Sequence, residues 1–208
     1  MLLAENLMLL VLPDKGSPLL RGASLDIALA GAVVADLALS GHVRLGEEGE
    51  TTVKEGKITV NAEASPLTDP LLARGMEFVA KSFWKSPASV LQTAQSEWRK
   101  AVRERLVRAE ILSDVRRGVL GVSTHRWTVI DPRPRTELLD RLDQVLFNGA
   151  PADPEAATMA GMIYACGITV PVMQRGRHVE ATPLRTAAKA YWQQSWPAQA
   201  TYSALQAT

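Results

Sequence analysis

Leu25 to Leu39 is the segment that most constrains how this chain can fold. Read as a helix, it carries apolar residues around nearly its whole circumference, and its glycine and alanines allow close neighbours. Its longest apolar run, Ile27 to Leu39, is shorter than the roughly 20 residues that span a bilayer, and it contains Asp36. The segment therefore predicts a buried central helix, with Ser24 as its N-cap and Gly41 closing its C-terminal end.

Several other helices are marked by Asp, Ser or Thr followed directly by proline, a pair that suits the N-cap and the first helical position. Helices are predicted to begin at Asp69-Pro70, Ser86-Pro87, Asp153-Pro154 and Thr182-Pro183. The last of these is predicted to run on through Trp196. Another is predicted from about Arg135 to Phe147, after a surface linker that contains Pro132 and Pro134. The apolar stretch Leu2 to Leu12 fits a helix or, in its second half, a short strand.

Two segments favour β-hairpins over helices. His42 to Leu45 and Lys57 to Asn61 flank a turn rich in Gly and Glu, and Val115 to Asp131 follows a long helical pattern. No repeat, low-complexity tract or composition shift marks a linker between domains. The sequence thus predicts a mainly α protein, a single domain over residues 1–208. We expect a helical bundle around the buried central helix, with the two β-hairpins at its periphery.

Composition narrows the classes of function. The formal net charge is only +1, whereas nucleic-acid-binding proteins usually carry a strong basic excess. Cys166 is the single cysteine, which excludes an internal disulfide and a cysteine-based metal cluster and fits a reducing compartment. Glu5 interrupts the apolar N-terminus and no basic segment precedes it, so a signal peptide is not expected. We expect a cytoplasmic protein, with attachment to a membrane surface left open.

The sequence offers little catalytic chemistry. It contains no GxSxG, glycine-rich phosphate loop or HExxH motif. The three histidines, His42, His125 and His178, are scattered, and none has a carboxylate or cysteine at ligand spacing. Cys166 lies among small apolar residues, where a packing role is expected. We therefore expect no enzyme activity, no catalytic residue, no metal and no cofactor.

The chain's charge is concentrated between Glu97 and Arg117, where seven of the eleven charged residues are Arg or Lys. On a helical wheel Trp98 and Val102 fall on an apolar arc, and Arg99, Lys100 and Arg103 fall on the opposite, solvent-facing side. Lys100 and Arg103 stand three residues apart, so both can contact one phosphate. A merely solvated helix face would show the same pattern. Arg105 falls inside the apolar arc and needs either a partner or a path to solvent.

The hairpin that follows allows three interpretations. Its candidate residues are Arg117, Val119, Leu120 and Trp127, which combine apolar side chains with flanking cations. We expect them to contact a membrane or to mediate homo-oligomerisation, because exposed apolar side chains are costly in water. A hairpin that only covers the core is the alternative. A winged helix would also place a hairpin after a helix, but the near-neutral charge fits nucleic-acid binding poorly.

Several segments together resemble the Golgi phosphoprotein 3 family. MLLAENLMLLVL followed by SLDIALAGAVVADLALSGHVRL is similar to the opening of its members, LTDPLLARGMEFV to the next helix, and WRKAVRERLVRAEIL with its hairpin to the central helix and hairpin. The resemblance covers about Leu2 to Phe147 closely and the last third loosely. It implies a helical bundle around a buried helix, with peripheral hairpins. The abundant Ala, Arg and Leu and the missing eukaryotic extensions suggest a bacterial member.

The resemblance also implies a function. Eukaryotic members bind phosphatidylinositol 4-phosphate on Golgi membranes and act as adaptors that retain glycosyltransferases. Two basic residues of their headgroup site match Lys100 and Arg103, while the site's tryptophan position falls on Arg21 and its central-helix arginine position on Ala30. The resemblance therefore implies a peripheral membrane protein that binds anionic phospholipid headgroups through Arg21, Lys100 and Arg103. An adaptor for an unknown client protein, without lipid binding, is the alternative.

Overall fold

The computed structural model describes residues 1–12, 17–82, 84–119, 122–174 and 178–208, and for 114–119 and 122–126 it describes the backbone only. Within these residues the chain is mainly α, with ten helices and two antiparallel two-stranded sheets, which confirms the predicted fold class. In chain order the elements are α1 (Leu3–Val11), α2 (Gly22–Leu39), β1 (Val43–Leu45), β2 (Ile58–Val60), α3 (Pro70–Ala80), α4 (Pro87–Leu91), α5 (Glu97–Arg108), β3 (Leu112–Val119), β4 (Val122–Val129), α6 (Arg133–Leu146), α7 (Pro154–Ala165), α8 (Thr169–Gln174), α9 (Ala181–Gln194) and α10 (Trp196–Gln206).

Helix α2 is the central helix that the sequence predicts. It packs against α1, α3, α5, α7 and α10, and the core cluster that contains it draws on buried residues from Leu3 to Ala204. The helix begins three residues earlier than predicted, because Arg21 and not Ser24 occupies its N-cap. Gly41 adopts a φ of 73° just beyond the C-terminal end, as a helix-terminating glycine does.

The apolar surface of α2 is covered by protein. Among the described residues this is the one helix whose length and hydropathy would suffice to span a membrane, yet 67% of that stretch is buried inside the protein. Helix α10 lies especially close, since a methyl group added at Gly31 would collide with the hydroxyl of Thr201. The glycine therefore sets how near the two helices can pack.

Helix α1 is fully helical, so the alternative of a strand in its second half is wrong. All nine of its residues are buried. Its N-terminal end is capped from α2, because the carboxylate of Asp36 accepts hydrogen bonds from the Leu3 N–H at 2.9 and 3.0 Å. Burial raises the pKa of Asp36 to about 7, against the lowering effect of these backbone donors.

Local capping chemistry explains three of the four predicted proline starts. Asp69 accepts from Leu71 N–H at 2.8 Å, Ser86 from Ser89 N–H at 3.2 Å and Asp153 from Ala156 N–H at 2.9 Å. The fourth start differs, because α9 begins at Ala181 with Glu180 at its N-cap.

Three further corrections concern the chain from α6 onwards. Helix α9 does not continue through Trp196, because Ser195 caps a separate helix, α10, with Pro197 in its first turn. Helix α8 was not predicted. The predicted linker before α6 is also wrong, since Arg133 and Arg135 lie in the first turn of that helix and Arg135 is buried.

Both predicted hairpins form. Strands β1 and β2 pair in antiparallel register, Val43 opposite Val60, and β3 and β4 pair from Leu112 opposite Val129 to Val119 opposite Val122. The second hairpin therefore begins three residues before the predicted Val115, and its base continues directly from the end of α5. This connection places β4 beside the exposed face of α5.

Candidate functional site

An open groove of about 710 Å³ lies between α5 and β4, and we call it the α5 groove. The described residues that line it are Ser96, Arg99, Lys100, Arg103, Glu104, Val107, Arg108 and Trp127. All but the last belong to α5 or to its N-cap. They share one face of the helix because they are spaced three, four or seven residues apart. Four cations and one carboxylate thus share a surface with an indole and a valine.

Lys100 and Arg103 both line this groove. The Lys100 side chain is 78% exposed, and its Nζ lies 3.9 Å from Glu104 one turn further along the helix. The guanidinium of Arg103 stacks on the ring of Trp127, with its carbon 5.0 Å from the ring centroid. The hairpin therefore brings an aromatic side chain to the pair of cations that the sequence singled out.

Arg99 corrects the helical wheel. The sequence places it on the solvent-facing side of α5, but its Nε donates to Asp26 Oδ1 on α2 at 2.6 Å. The Asp26 side chain is only 5% exposed and that of Arg99 is 27% exposed. Arg99 therefore joins a buried carboxylate of the central helix to the wall of the α5 groove.

The two α2 positions taken from the family pattern are not in the groove. Arg21 is exposed at the N-cap of α2 and is absent from the groove's described lining. Ala30 is fully buried in the core, so a ligand in the groove cannot contact it. Helix α2 instead reaches the groove through the ion pair of Asp26 with Arg99.

Arg105 finds the partners that its place on the apolar arc required. Its Nε donates to Glu5 at 2.9 Å and its Nη2 lies 2.8 Å from Asp69, the N-cap of α3. Although burial opposes its charge, these two carboxylates raise the pKa of Arg105 above its ordinary value. The groove helix is thereby fastened to both α1 and α3.

For the remaining candidate residues, the structure describes only some of the side chains. Of the hairpin residues, Arg117 and Val119 lie on β3 with their side chains outside the described part, Leu120 lies outside the described residues, and Trp127 lines the groove. Cys166 is buried, and burial raises the pKa of its thiol to about 12, so it is not a reactive thiolate at neutral pH. No three His, Cys, Asp or Glu side chains are placed to hold a metal ion in the part of the chain that is described.

Sequence reasoning missed five of the groove's residues, Ser96, Arg99, Glu104, Val107 and Arg108. The signal was available for four of them, because 96, 99, 104 and 107 each lie four residues from Lys100 or Arg103 on a helix. What the spacing could not show is that a hairpin strand would close the other side.

Comparison with known families identifies a family for nearly the whole chain. The family model described as Golgi phosphoprotein 3 (GPP34) matches residues 3–208, which includes the last third of the chain. No curated protein matches the chain as a relative.

Proposed function

Because the chain belongs to the Golgi phosphoprotein 3 family, we propose that it is a non-enzymatic, peripheral membrane protein that binds anionic phospholipid headgroups in the α5 groove. The observation that carries this proposal is the position of Lys100 and Arg103, which line one open groove beside Trp127. A phosphatidylinositol 4-phosphate-like headgroup supplies the phosphomonoester that suits such a pair.

The two cations complement each other chemically. Arginine offers a planar fork that matches two phosphate oxygens, and lysine offers a compact charge on a flexible stem. Trp127 holds the Arg103 guanidinium against its ring, which reduces the conformational freedom that binding would remove. An indole beside cations also fits the interfacial region of a bilayer, where tryptophan is enriched.

The expected affinity of the pair is modest. Each basic residue near an anionic membrane contributes about 1 kcal/mol, so Lys100 and Arg103 together contribute about 2 kcal/mol. Arg21 is exposed outside the groove and adds attraction to the surface without contacting the same phosphate. Tight attachment to a membrane therefore needs further contacts or several copies of the chain.

The experiment is co-sedimentation with liposomes of neutral lipid alone and of neutral lipid with phosphatidic acid or phosphatidylinositol 4-phosphate. Lys100→Ala combined with Arg103→Ala should weaken binding about thirtyfold, because about 2 kcal/mol of attraction is lost. The control is Arg185→Ala combined with Lys189→Ala, an exposed Arg and Lys one turn apart on α9. It removes the same charge from a helix that does not form the groove.

Each outcome has a distinct meaning. Loss in the groove variant alone supports a headgroup site. Equal loss in both variants means that the attraction is diffuse and that the groove is no site. A wild-type chain that pellets with none of these liposomes favours the alternative, a protein–protein adaptor that keeps the fold without lipid binding.

A further inference from the structure

We propose that Arg99 donates hydrogen bonds to a phosphate in the α5 groove, as a third basic residue beside Lys100 and Arg103. Asp26 is the residue that positions it. This inference rests on the proposed headgroup site and adds to it a residue that the helical wheel had left in solvent. The ligand chemistry is a phosphate oxygen of a lipid headgroup. Helix α2, which places neither Arg21 nor Ala30 in the groove, takes part in the site through its carboxylate.

The geometry of the ion pair leaves Arg99 able to bind a ligand. Only its Nε bonds to Asp26, at 2.6 Å, and no described residue accepts a hydrogen bond from either Nη. A guanidinium carries five N–H donors in a fixed plane, so four of them remain on the two Nη atoms. Because Arg99 also lines the groove, a bound phosphate has these donors within reach.

Asp26 fixes the direction of those donors. Its side chain is almost fully buried in the second turn of α2, so the carboxylate is held by the core and cannot follow a mobile partner. A side chain already held in place loses little conformational freedom when a ligand binds. Arg99 and Arg103 stand one turn apart on α5 and are therefore neighbours on its surface. A fixed donor thus stands beside the flexible Lys100.

The ion pair of Asp26 with Arg99 also predicts how headgroup binding should depend on salt concentration. Asp26 cancels the charge of Arg99 at long range, so Arg99 adds little to the attraction of a distant anionic membrane. Its contribution is a short-range, directional hydrogen bond to the phosphate. Removal of Arg99 together with Asp26 should therefore weaken headgroup binding while leaving most of the salt dependence, which arises from Lys100 and Arg103.

The test is Asp26→Asn combined with Arg99→Gln, which keeps the net charge of the chain and leaves two amides that can still bond to each other. Binding to liposomes that contain phosphatidic acid should fall about fivefold, the factor expected for the loss of one typical hydrogen bond to the phosphate. The matched control is Arg44→Gln combined with Glu50→Gln. That pair also neutralises one arginine and one carboxylate, joined at 2.7 Å near β1 and outside the groove.

A second variant guards against a folding defect. Arg99→Lys keeps the charge and its pairing with Asp26 but lacks the planar pair of Nη groups that can hold two phosphate oxygens, so it should also bind phosphatidic acid liposomes about fivefold more weakly. A thermal melt of each variant reports whether the fold is intact. If both Arg99 variants bind like the wild type while the Lys100 and Arg103 variant binds more weakly, the proposed role of Arg99 is wrong and the headgroup site stands. No loss in that last variant would overturn the headgroup site itself.

The source of the phosphate is separated by competition. Glycerol phosphate added in solution should displace the wild-type chain from the liposomes if the groove recognises the phosphate group without the rest of the lipid. The Asp26 and Arg99 double variant should then require a higher concentration for the same displacement. Equal displacement of both would contradict a direct contact between Arg99 and the phosphate.

Discussion

Arg99→Ala should destabilise the protein far more than Lys100→Ala, although the two residues are adjacent on one helix. Removal of Arg99 leaves the Asp26 carboxylate, 5% exposed, without its partner on α5. Loss of one partner of a buried ion pair costs about 3–5 kcal/mol, and the partial exposure of Arg99 places this case near about 3 kcal/mol. Lys100 is mostly exposed and only 3.9 Å from Glu104, a surface pair worth about 0–1 kcal/mol.

Thermal unfolding followed by circular dichroism measures the difference. For a chain of this size about 1 kcal/mol corresponds to about 2–4 °C, so Arg99→Ala should lower Tm by about 6–12 °C. Lys100→Ala should change it by no more than about 4 °C, since the surface pair is worth at most about 1 kcal/mol and alanine is also a good helix former. Adding Asp26→Ala to Arg99→Ala should recover part of the loss, because the unpaired buried carboxylate is then gone. If Arg99→Ala and Lys100→Ala have the same Tm, the ion pair does not stabilise the protein. Arg99 then behaves energetically as the solvent-facing residue that the helical wheel predicts.

Three further predictions concern the core and the hairpin. Because the folded-state pKa of Asp36 is raised from 3.8 to about 7, its stabilising contribution is full below pH 4 and is lost as the pH rises through 7. Asp36→Asn, which keeps an oxygen for Leu3 N–H, should remove a decline of roughly 2–3 kcal/mol between pH 5 and 8 in urea unfolding; an unchanged slope would contradict the raised pKa. Gly31→Ala should destabilise by about 1–3 kcal/mol through its collision with Thr201, and a second change, Thr201→Ala, should relieve it in the same melt. Deletion of residues 117–125 should lower the oligomeric state in sedimentation velocity, and an unchanged mass at every concentration would refute the prediction of self-association.

Features set by local chemistry could be predicted from the sequence. The nearly all-apolar circumference of α2 indicated burial because the helix has no continuous polar face to turn towards solvent. Asp69 and Asp153 marked helix starts because a cap bonds within three residues of itself. The same logic was available at Ser195 and Pro197, where a new helix begins and none was predicted.

Features that depend on distant residues could not be predicted in this way. A helical wheel orders Arg99 relative to its own helix, but its partner Asp26 is 73 positions away and belongs to another helix. For Arg105 the wheel showed that a partner was needed, and only the packing of α1 and α3 shows which carboxylates serve. The meeting of Trp127 with Arg103 likewise depends on how the hairpin lies against α5.

The contact between Gly31 and Thr201 has a consequence for the order in which the protein can fold during synthesis. Helix α2 leaves the ribosome before α10, the helix that packs against it at Gly31, has been made. Until α10 has been made, the side of α2 that it covers stays exposed, on a helix whose length and hydropathy match those of a membrane span. A ribosome stalled before Thr201 would hold a chain in which that side of α2 is still uncovered, so its core would not yet be complete.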